Sequence, residues 1–198
     1  MDDNPVSVLT FNVNENPYVA VAARPEIMSS SGYVNIYELK NMTRVQSIAS
    51  RGASGITSFT YDGVSYLIIA NDHGYSSDGH STYHLSVDIY SYSIATKAFE
   101  WFRSIQTYRA YRVGTYRIGS FVYLAIVHFD KSVAFYQFGL ELGFQKIDEL
   151  TVSGAHDVAY MDLFGEGHLF VSSSRHLFTG SSKLFRINSS GKNSFRLA

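Results

Sequence analysis

The most regular feature of this chain is an apolar run, led by an aromatic ring, that recurs along its length. The runs are 18–22 (YVAVA), 66–71 (YLIIAN), 123–127 (YLAIV) and 168–173 (HLFVSS), so their first residues stand 48, 57 and 45 positions apart. Ala53, Ala110 and Ala155 each stand 13 positions before one of the last three runs. A repeated pattern with this period is typical of repeat proteins, and its fixed phase predicts four homologous units.

The pattern inside each unit predicts four short strands. In the second unit, alternating apolar residues lead through Asp62-Gly63 into the run at Tyr66, which is a strong signal for a β-hairpin. A third strand carries a paired apolar and aromatic column, and a fourth strand follows it. The columns are Ile36-Tyr37, Ile89-Tyr90, Phe135-Tyr136 and Leu184-Phe185, and the fourth strands are 45–48, 102–105, 144–147 and 194–197.

These units predict an all-β fold made of β-propeller blades, each with four antiparallel strands. The expected blades are residues 6–50, 51–107, 108–152 and 153–198. No segment keeps a 3.6-residue apolar period over three turns, which excludes a helical solenoid. The aromatic rings at Phe99, Trp101 and Phe102 are expected to lie in the core between blades.

Composition agrees with this class and excludes two kinds of partner. Hydrophobic residues make up 45% of the chain and aromatic residues 15%, a bias that favours half-buried strands. The formal net charge of −1 predicts no binding to nucleic acid and none to an anionic membrane surface. No window approaches the ~18 consecutive apolar residues of a membrane span, so direct membrane insertion is not expected. Cysteine is absent, which rules out a disulfide framework and a thiolate zinc site.

The repeated columns resemble EAR repeats, also called EPTP or epitempin repeats, over nearly the whole chain. The matching residues are Gly52-Ala53, Phe59, Gly63, 66–71 and Ile89-Tyr90 in the second unit, and Gly154-Ala155-His156-Asp157, Leu163, Gly165 and Leu184-Phe185 in the fourth. The chain departs from the family pattern at Val158, where the family has Trp. It therefore resembles a divergent member.

The resemblance implies a seven-bladed propeller, of which this chain would hold about four blades; a closed four-bladed ring is the alternative. It also implies a secreted or cell-surface protein that recognises an ectodomain or a matrix protein. The first nine residues lack the features of a secretory signal, so an extracellular protein would need its signal peptide upstream. An intracellular interaction scaffold is the alternative.

The loops between the second and third strands differ most in length between units, and variable loops on a rigid scaffold often bind partners. The longest, 72–85, and the turn to the third blade supply the candidate partner-binding residues: Asp72, His73, Tyr75, Asp78, His80, Tyr83, His84 and Tyr108. Three histidines and two aspartates in this loop suggest zinc. Their spacing on a Gly/Ser-rich segment fixes no geometry, so we predict no metal ligand and no cofactor.

Two glycosylation sequons begin at Asn41 and Asn188. Both fall in the hairpin between the third and fourth strands, on the face opposite the variable loops. Glycans there would leave the expected binding face uncovered.

The sequence contains no catalytic signature. Neither a Gly-x-Ser-x-Gly elbow nor an HExxH motif occurs, and the acidic residues are scattered among turns. We therefore predict a protein without enzymatic activity. A divergent propeller glycoside hydrolase is the enzyme alternative, because some propeller glycosidases use carboxylates in their channel.

Overall fold

The computed structural model describes residues 4–24, 32–72, 74–75, 81–82, 84–129, 131–163, 166–173, 181–187 and 195–197. These residues lie in strands and in the turns that join them. None of the described segments forms a helix long and apolar enough to cross a membrane. The chain divides into two compact units, Met1–Ala110 and Tyr111–Ala198.

The first unit contains two antiparallel four-stranded sheets. Strands β1 (Asn4–Val13), β2 (Asn16–Arg24), β3 (Gly32–Glu38) and β4 (Thr43–Ser50) form the first sheet in that order. Strands β5 (Ala53–Tyr61) and β6 (Val64–Asn71) begin the second sheet. Two short strands, β7 (Gly74–Tyr75) and β8 (Ser81–Thr82), then pair with each other. Strands β9 (His84–Ser93) and β10 (Ala98–Tyr108) complete the second sheet, with β9 beside β6.

The second unit repeats this arrangement. Strands β11 (Ala110–Ile118), β12 (Phe121–His128), β13 (Ser132–Gly139) and β14 (Gly143–Thr151) form the third sheet in chain order. Strands β15 (Ala155–Leu163), β16 (Glu166–Ser173), β17 (Lys183–Ile187) and β18 (Phe195–Leu197) form the fourth. The predicted all-β fold of four-stranded antiparallel blades is confirmed.

The hairpin at Asp62-Gly63 forms for the reason that the sequence indicates. Tyr61 pairs with Val64, and the two residues between them have φ angles of 49° and 74°. Positive φ at both central residues defines a type I′ turn, whose twist matches that of the flanking strands, and glycine adopts this conformation without strain. Asn14 and Glu15, with φ angles of 48° and 67°, make the corresponding turn between β1 and β2.

The sheets also share their irregularities. The pairing of third and fourth strands shifts at Ile36/Tyr37 in the first sheet, beside Trp101/Arg103 in the second and at Phe135/Tyr136 in the third. Each shift leaves one extra residue in the fourth strand, which is a β-bulge. The bulges coincide with the column of paired apolar and aromatic residues, so the repeat includes backbone geometry as well as residue type.

The core of the first unit packs the second sheet against the first. The side chains at 65–71 in β6 are all buried, as expected for a central strand covered on both faces. Leu67 and Ile69 join Ala20, Ala22, Val34 and Ile36 in one apolar cluster. Fully burying one Leu or Ile side chain contributes about 1.5–3 kcal/mol.

A polar contact also joins these two sheets. The side-chain amide of Gln46 in β4 donates to the carbonyl of Phe99 and accepts from its N–H, both at 2.8 Å. Because both bonds use the backbone of β10, they fix the sheets in one relative position.

In the second unit the core lies between the third and fourth sheets, where Phe135 and Leu169 are fully buried. The ring of Tyr116 stacks between those of Tyr123 and Tyr160, with centroids 5.3 and 5.2 Å away. Burial raises the pKa of Tyr116, so its phenol stays neutral.

Every sheet has two kinds of end. We call the end with the connections from second to third strand and to the next sheet the loop end, and the end with the two hairpins the hairpin end. In the second sheet, Asn71, His84 and Tyr108 lie at the loop end, whereas Asp62 and Ile94 lie at the hairpin end.

Candidate recognition site

Asp72 anchors the base of the long connection between β6 and β9 rather than being presented on its surface. Its side chain is buried, and Oδ1 lies 3.4 Å from Nε of Arg109. Its N–H donates to the carbonyl of Gly52. The carboxylate of Asp72 thus pairs with Arg109 below the surface, and its contact with a partner stays a prediction.

His84 and Tyr108 form an exposed ring pair at the loop end of the second sheet. They are cross-strand neighbours in β9 and β10, with ring centroids 5.0 Å apart. Tyr108 is 43% exposed, although its ring is large and apolar. It is the last residue of β10 rather than part of the following turn, so a strand fixes its position.

A polar cleft opens beside this ring pair. It has a volume of about 270 Å³ and lies between the end of β4 and the loop end of β9 and β10. The residues that line it include Ser50, Arg51, Asn71, His84, Ser86, Asp88 and Gln106. The cleft lies between the first and second sheets, which pack against each other in the first unit. This packing holds the walls of the cleft in place.

The orientation of the Asn71 amide at this cleft is unambiguous. Its Nδ2 donates to the carbonyl of Ser86 at 2.8 Å and to Oδ2 of Asp88 at 3.0 Å. Both partners are acceptors, so the nitrogen must face them. The Oδ1 atom is buried and has no hydrogen-bond partner among the described residues, which is uncommon because buried polar atoms are usually satisfied.

Asp88 is held by neutral groups. Its Oδ1 accepts from the hydroxyls of Ser86 and Ser104, each at 2.7 Å, and its Oδ2 accepts from Asn71. No cation of the described segments forms an ion pair with this carboxylate. The cleft therefore contains a positioned negative charge.

The second unit has a comparable polar cluster. Ser132 donates to Oε1 of Glu149 at 2.5 Å, Lys146 donates to Oε2 at 2.5 Å, and Nδ1 of His128 lies 3.1 Å from the Ser132 hydroxyl. Hydrogen bonds from Lys146 and Ser132 lower the pKa of Glu149 to about 2, and burial lowers the pKa of His128. Ser132 lies between the imidazole and the carboxylate and is 2% exposed, so this is not the order of a catalytic triad.

The first sequon has an ordered geometry. The Oδ1 atom of Asn41 accepts from the N–H of Thr43 at 3.2 Å and from its hydroxyl at 2.6 Å. Asn41 is exposed at the hairpin end of the first sheet. The second sequon, at Asn188, lies outside the described residues.

Of the remaining predicted contact residues, Tyr75 belongs to the described part of the chain. The backbone of Tyr75 lies in β7, paired with Ser81. His73, Asp78, His80 and Tyr83 lie outside the described residues. In the described part of the chain, no group of three or more His, Cys, Asp or Glu side chains has an arrangement that could hold a metal ion.

One prediction about the aromatic residues is wrong. Phe99 is buried, but Trp101 is 64% exposed, and its Nε1 donates to Ser104 at 3.1 Å. Trp101 precedes the bulge in β10. The indole turns along the strand toward Ser104 instead of entering the core.

The cleft residues Asn71, Asp88 and Gln106 were not predicted as a site. Asn71 belongs to the apolar run of β6, and Asp88 stands between the core residues Val87 and Ile89. A polar residue between two buried residues of one strand could have indicated this site, because a carboxylate in that position needs hydrogen-bond partners.

Comparison with solved structures identifies the fold. The chain is similar to an exo-β-1,3-galactanase from Phanerochaete chrysosporium, solved with β-1,3-galactotriose, at a TM-score of 0.58 and 8% identity. It is also similar to the GH43B protein of the Bacteroides ovatus xyloglucan PUL, at a TM-score of 0.51 and 11% identity. The alignments cover 100% and 99% of this chain, but 50% and 41% of those chains, so it spans about half their length.

These neighbours have the β-propeller fold, and at such low identities the likeness concerns the fold alone. No protein-family model matches the sequence, and a search of curated proteins finds no relative. The chain is thus an all-β protein of propeller blades.

Proposed function

We propose that this protein is an extracellular recognition module that binds a protein partner through the loop end of its second sheet. The observation that supports this most is the exposed His84–Tyr108 pair next to the polar cleft. Tyrosine provides a large contact area with little side-chain entropy to lose, and it is enriched where proteins bind one another. The neighbouring sheets supply a rigid base for this surface.

The hydrogen bonds around the cleft agree with a recognition role. Asp72 fixes the start of the 72–85 connection through Arg109 and Gly52, and Thr107 donates to the carbonyl of Leu85 at 3.0 Å. Both ends of the connection are therefore held by the blade. A loop with fixed ends loses less conformational entropy on binding than a free segment.

Two features support an extracellular location. Asn41 is exposed in an ordered sequon turn, and the turn lies at the hairpin end, away from the proposed contact surface. A glycan there would be compatible with partner binding. The resemblance to EAR repeats supports the same location and leads us to propose that the chain contributes four blades to a seven-bladed ring.

The test is a binding screen against displayed ectodomains and matrix proteins, using the protein expressed behind a signal peptide. We expect the double variant His84→Ala, Tyr108→Ala to lose at least about tenfold in affinity for a partner, because an aromatic anchor at an interface contributes more than ~1.4 kcal/mol. Ile94→Ala, which changes an exposed apolar residue at the hairpin end, is the matched control. Equal binding by all three proteins would contradict the proposed surface.

The same preparation distinguishes the alternatives. An intracellular scaffold would bind partners from cytosol rather than from the ectodomain panel. A glycoside hydrolase would release sugar from a panel of aryl glycosides and oligosaccharides. The carboxylates at the loop end of the second sheet do not favour hydrolysis, since Asp72 is paired with Arg109 and Asp88 accepts three hydrogen bonds.

A further inference from the structure

The chemistry of the cleft specifies which partner group it accepts. Its most buried polar residue is Asn71, which is 1% exposed and whose Oδ1 atom has no partner in the part of the chain that the structure describes. Next to it, Asp88 carries a negative charge that neutral donors hold in place. Among the described residues, the amide oxygen of Asn71 has no donor and the carboxylate of Asp88 has no cation.

We propose that the cleft receives a lysine or arginine side chain of the partner protein, with its charged group against Asp88. This inference rests on the proposed function, because it identifies the chemistry that the recognition surface selects. A carboxylate can accept about four hydrogen bonds, and Asp88 accepts three. One more donor, carrying a positive charge, would complete its set and neutralise it.

The size of the cleft fits a single side chain. Clefts that hold drug-sized ligands are usually about 300–1,000 Å³, and this one is smaller, at about 270 Å³. A lysine or arginine has a long aliphatic stem that can follow such a cleft while its charged end reaches the polar floor.

The rim supplies a second favourable contact. The exposed ring of Tyr108 stands beside His84, which itself lines the cleft. A cation that passes over the face of an aromatic ring is stabilised by about 0.5–1 kcal/mol at an exposed site.

Arg51 also lines the cleft, is exposed and forms no ion pair with Asp88. It leaves the carboxylate available to an incoming cation.

The test is an NMR titration of the ¹⁵N-labelled protein with Nα-acetyl-lysine-N-methylamide and its arginine analogue. We expect shifts of the Asn71 side-chain amide and of the Ser86 N–H, with a Kd of about 1–10 mM for so small a probe. The norleucine analogue, which has the stem without the charge, and methyl β-galactoside should produce neither shift. Equal responses to norleucine or to the sugar would overturn the proposal.

Charge variants at Gln106 test the electrostatics without disturbing the hydrogen-bond network. Gln106 lines the cleft with an exposed side chain. Gln106→Glu should tighten binding of the lysine probe about fivefold, and Gln106→Lys should weaken it about fivefold, as expected for one added charge near the surface. Ala95→Glu and Ala95→Lys, at the exposed hairpin end of β9 and β10, make the same charge changes as controls. Identical affinities across all four variants would refute a cation site.

Asp88→Asn should reduce the affinity at least about tenfold, because it removes the charge that the cation contacts. Its thermal unfolding is measured in parallel, and the Gln106 pair decides the result if this variant is unstable. The outcomes separate the two proposals. A cation site without any partner in the ectodomain screen would refute the recognition function, whereas a partner indifferent to both Gln106 variants would refute only the cation site.

Discussion

The second and third sheets each carry a polar cluster at the loop end, and the two clusters hold a carboxylate in different surroundings. Asn71 and His128 are each the last residue of the second strand. In the second sheet the acid is Asp88 of the third strand, opposite Ser104; in the third sheet it is Glu149 of the fourth strand, opposite Ala134. The acid therefore lies on the third strand in one sheet and on the fourth strand in the other.

This difference in position changes the role of the acid. Glu149 meets Lys146 and the buried Ser132, so its charge is neutralised within the sheet. Asp88 meets only neutral donors among the described residues and faces a cleft. A repeated scaffold can thus place an acid in an ion-paired cluster in one blade and beside a cleft in another.

The largest expected effect is on the third-sheet cluster of Ser132, Lys146 and Glu149, which we call the closed cluster. Glu149→Gln removes the charge that Lys146 and Ser132 contact and should lower the free energy of unfolding by about 2 kcal/mol. Urea unfolding at pH 7 measures this. We call the second-sheet cluster of Asn71, Ser86, Asp88 and Ser104 the open cluster. Asp88→Asn should lower the free energy of unfolding by less, because no cation of the described residues loses its partner. Equal losses of unfolding free energy in the two variants would contradict the difference between the clusters.

Acid should affect the closed cluster next. The pKa of Glu149 is about 2 in the folded protein, below its ordinary 4.5, so its contribution is complete above pH 4.5 and lost as the pH falls toward 2. The carboxylate is 35% exposed, so solvent screening limits the expected loss to about 1–2 kcal/mol.

Burial of His128 also lowers its pKa. The stability that neutral His128 contributes therefore begins to fall when the pH drops below 6.5, its ordinary pKa. The stability difference between the wild type and Glu149→Gln, measured by urea unfolding at pH 7, 5 and 3, isolates the carboxylate. It should shrink between pH 5 and 3, and a constant difference would contradict the role of Glu149.

The smallest effect should come from the two serines. Ser132→Ala removes a buried donor to Glu149 and should cost about 1–2 kcal/mol. Ser104→Ala removes an exposed donor to Asp88 and should cost less than about 1 kcal/mol, because water can replace the hydroxyl. Thermal unfolding of both variants checks the order, and a reversed order would mean that the second-sheet cluster is the more tightly built.

Local sequence signals predicted the blades well. The Asp62-Gly63 turn and the paired columns depend on residues close in sequence, and strand periodicity records which face is covered. Trp101 differs from its prediction because strand alternation does not indicate whether a face is covered: β10 is a border strand, and the indole is exposed and donates to Ser104.

The candidate site was harder to predict because its contacts join distant residues. Asp72 meets Arg109, 37 positions away, and the cleft adds Ser50 and Arg51 from the preceding blade. Composition identified the loop as polar but could not show that Asp72 pairs with Arg109 or that Asp88 of β9 meets only neutral donors among the described residues. His84 and Tyr108 were predicted individually, whereas their direct contact follows from strand register.

The repeated bulges in β4, β10 and β14 have a consequence for solubility. Each of these strands lies at the border of its sheet, where unpaired N–H and C=O groups could template the addition of a foreign strand. An extra residue breaks the regular hydrogen-bond spacing that such an addition needs and twists the border away from it. The same irregularity that shapes each blade thus makes its border a poor template for a foreign strand.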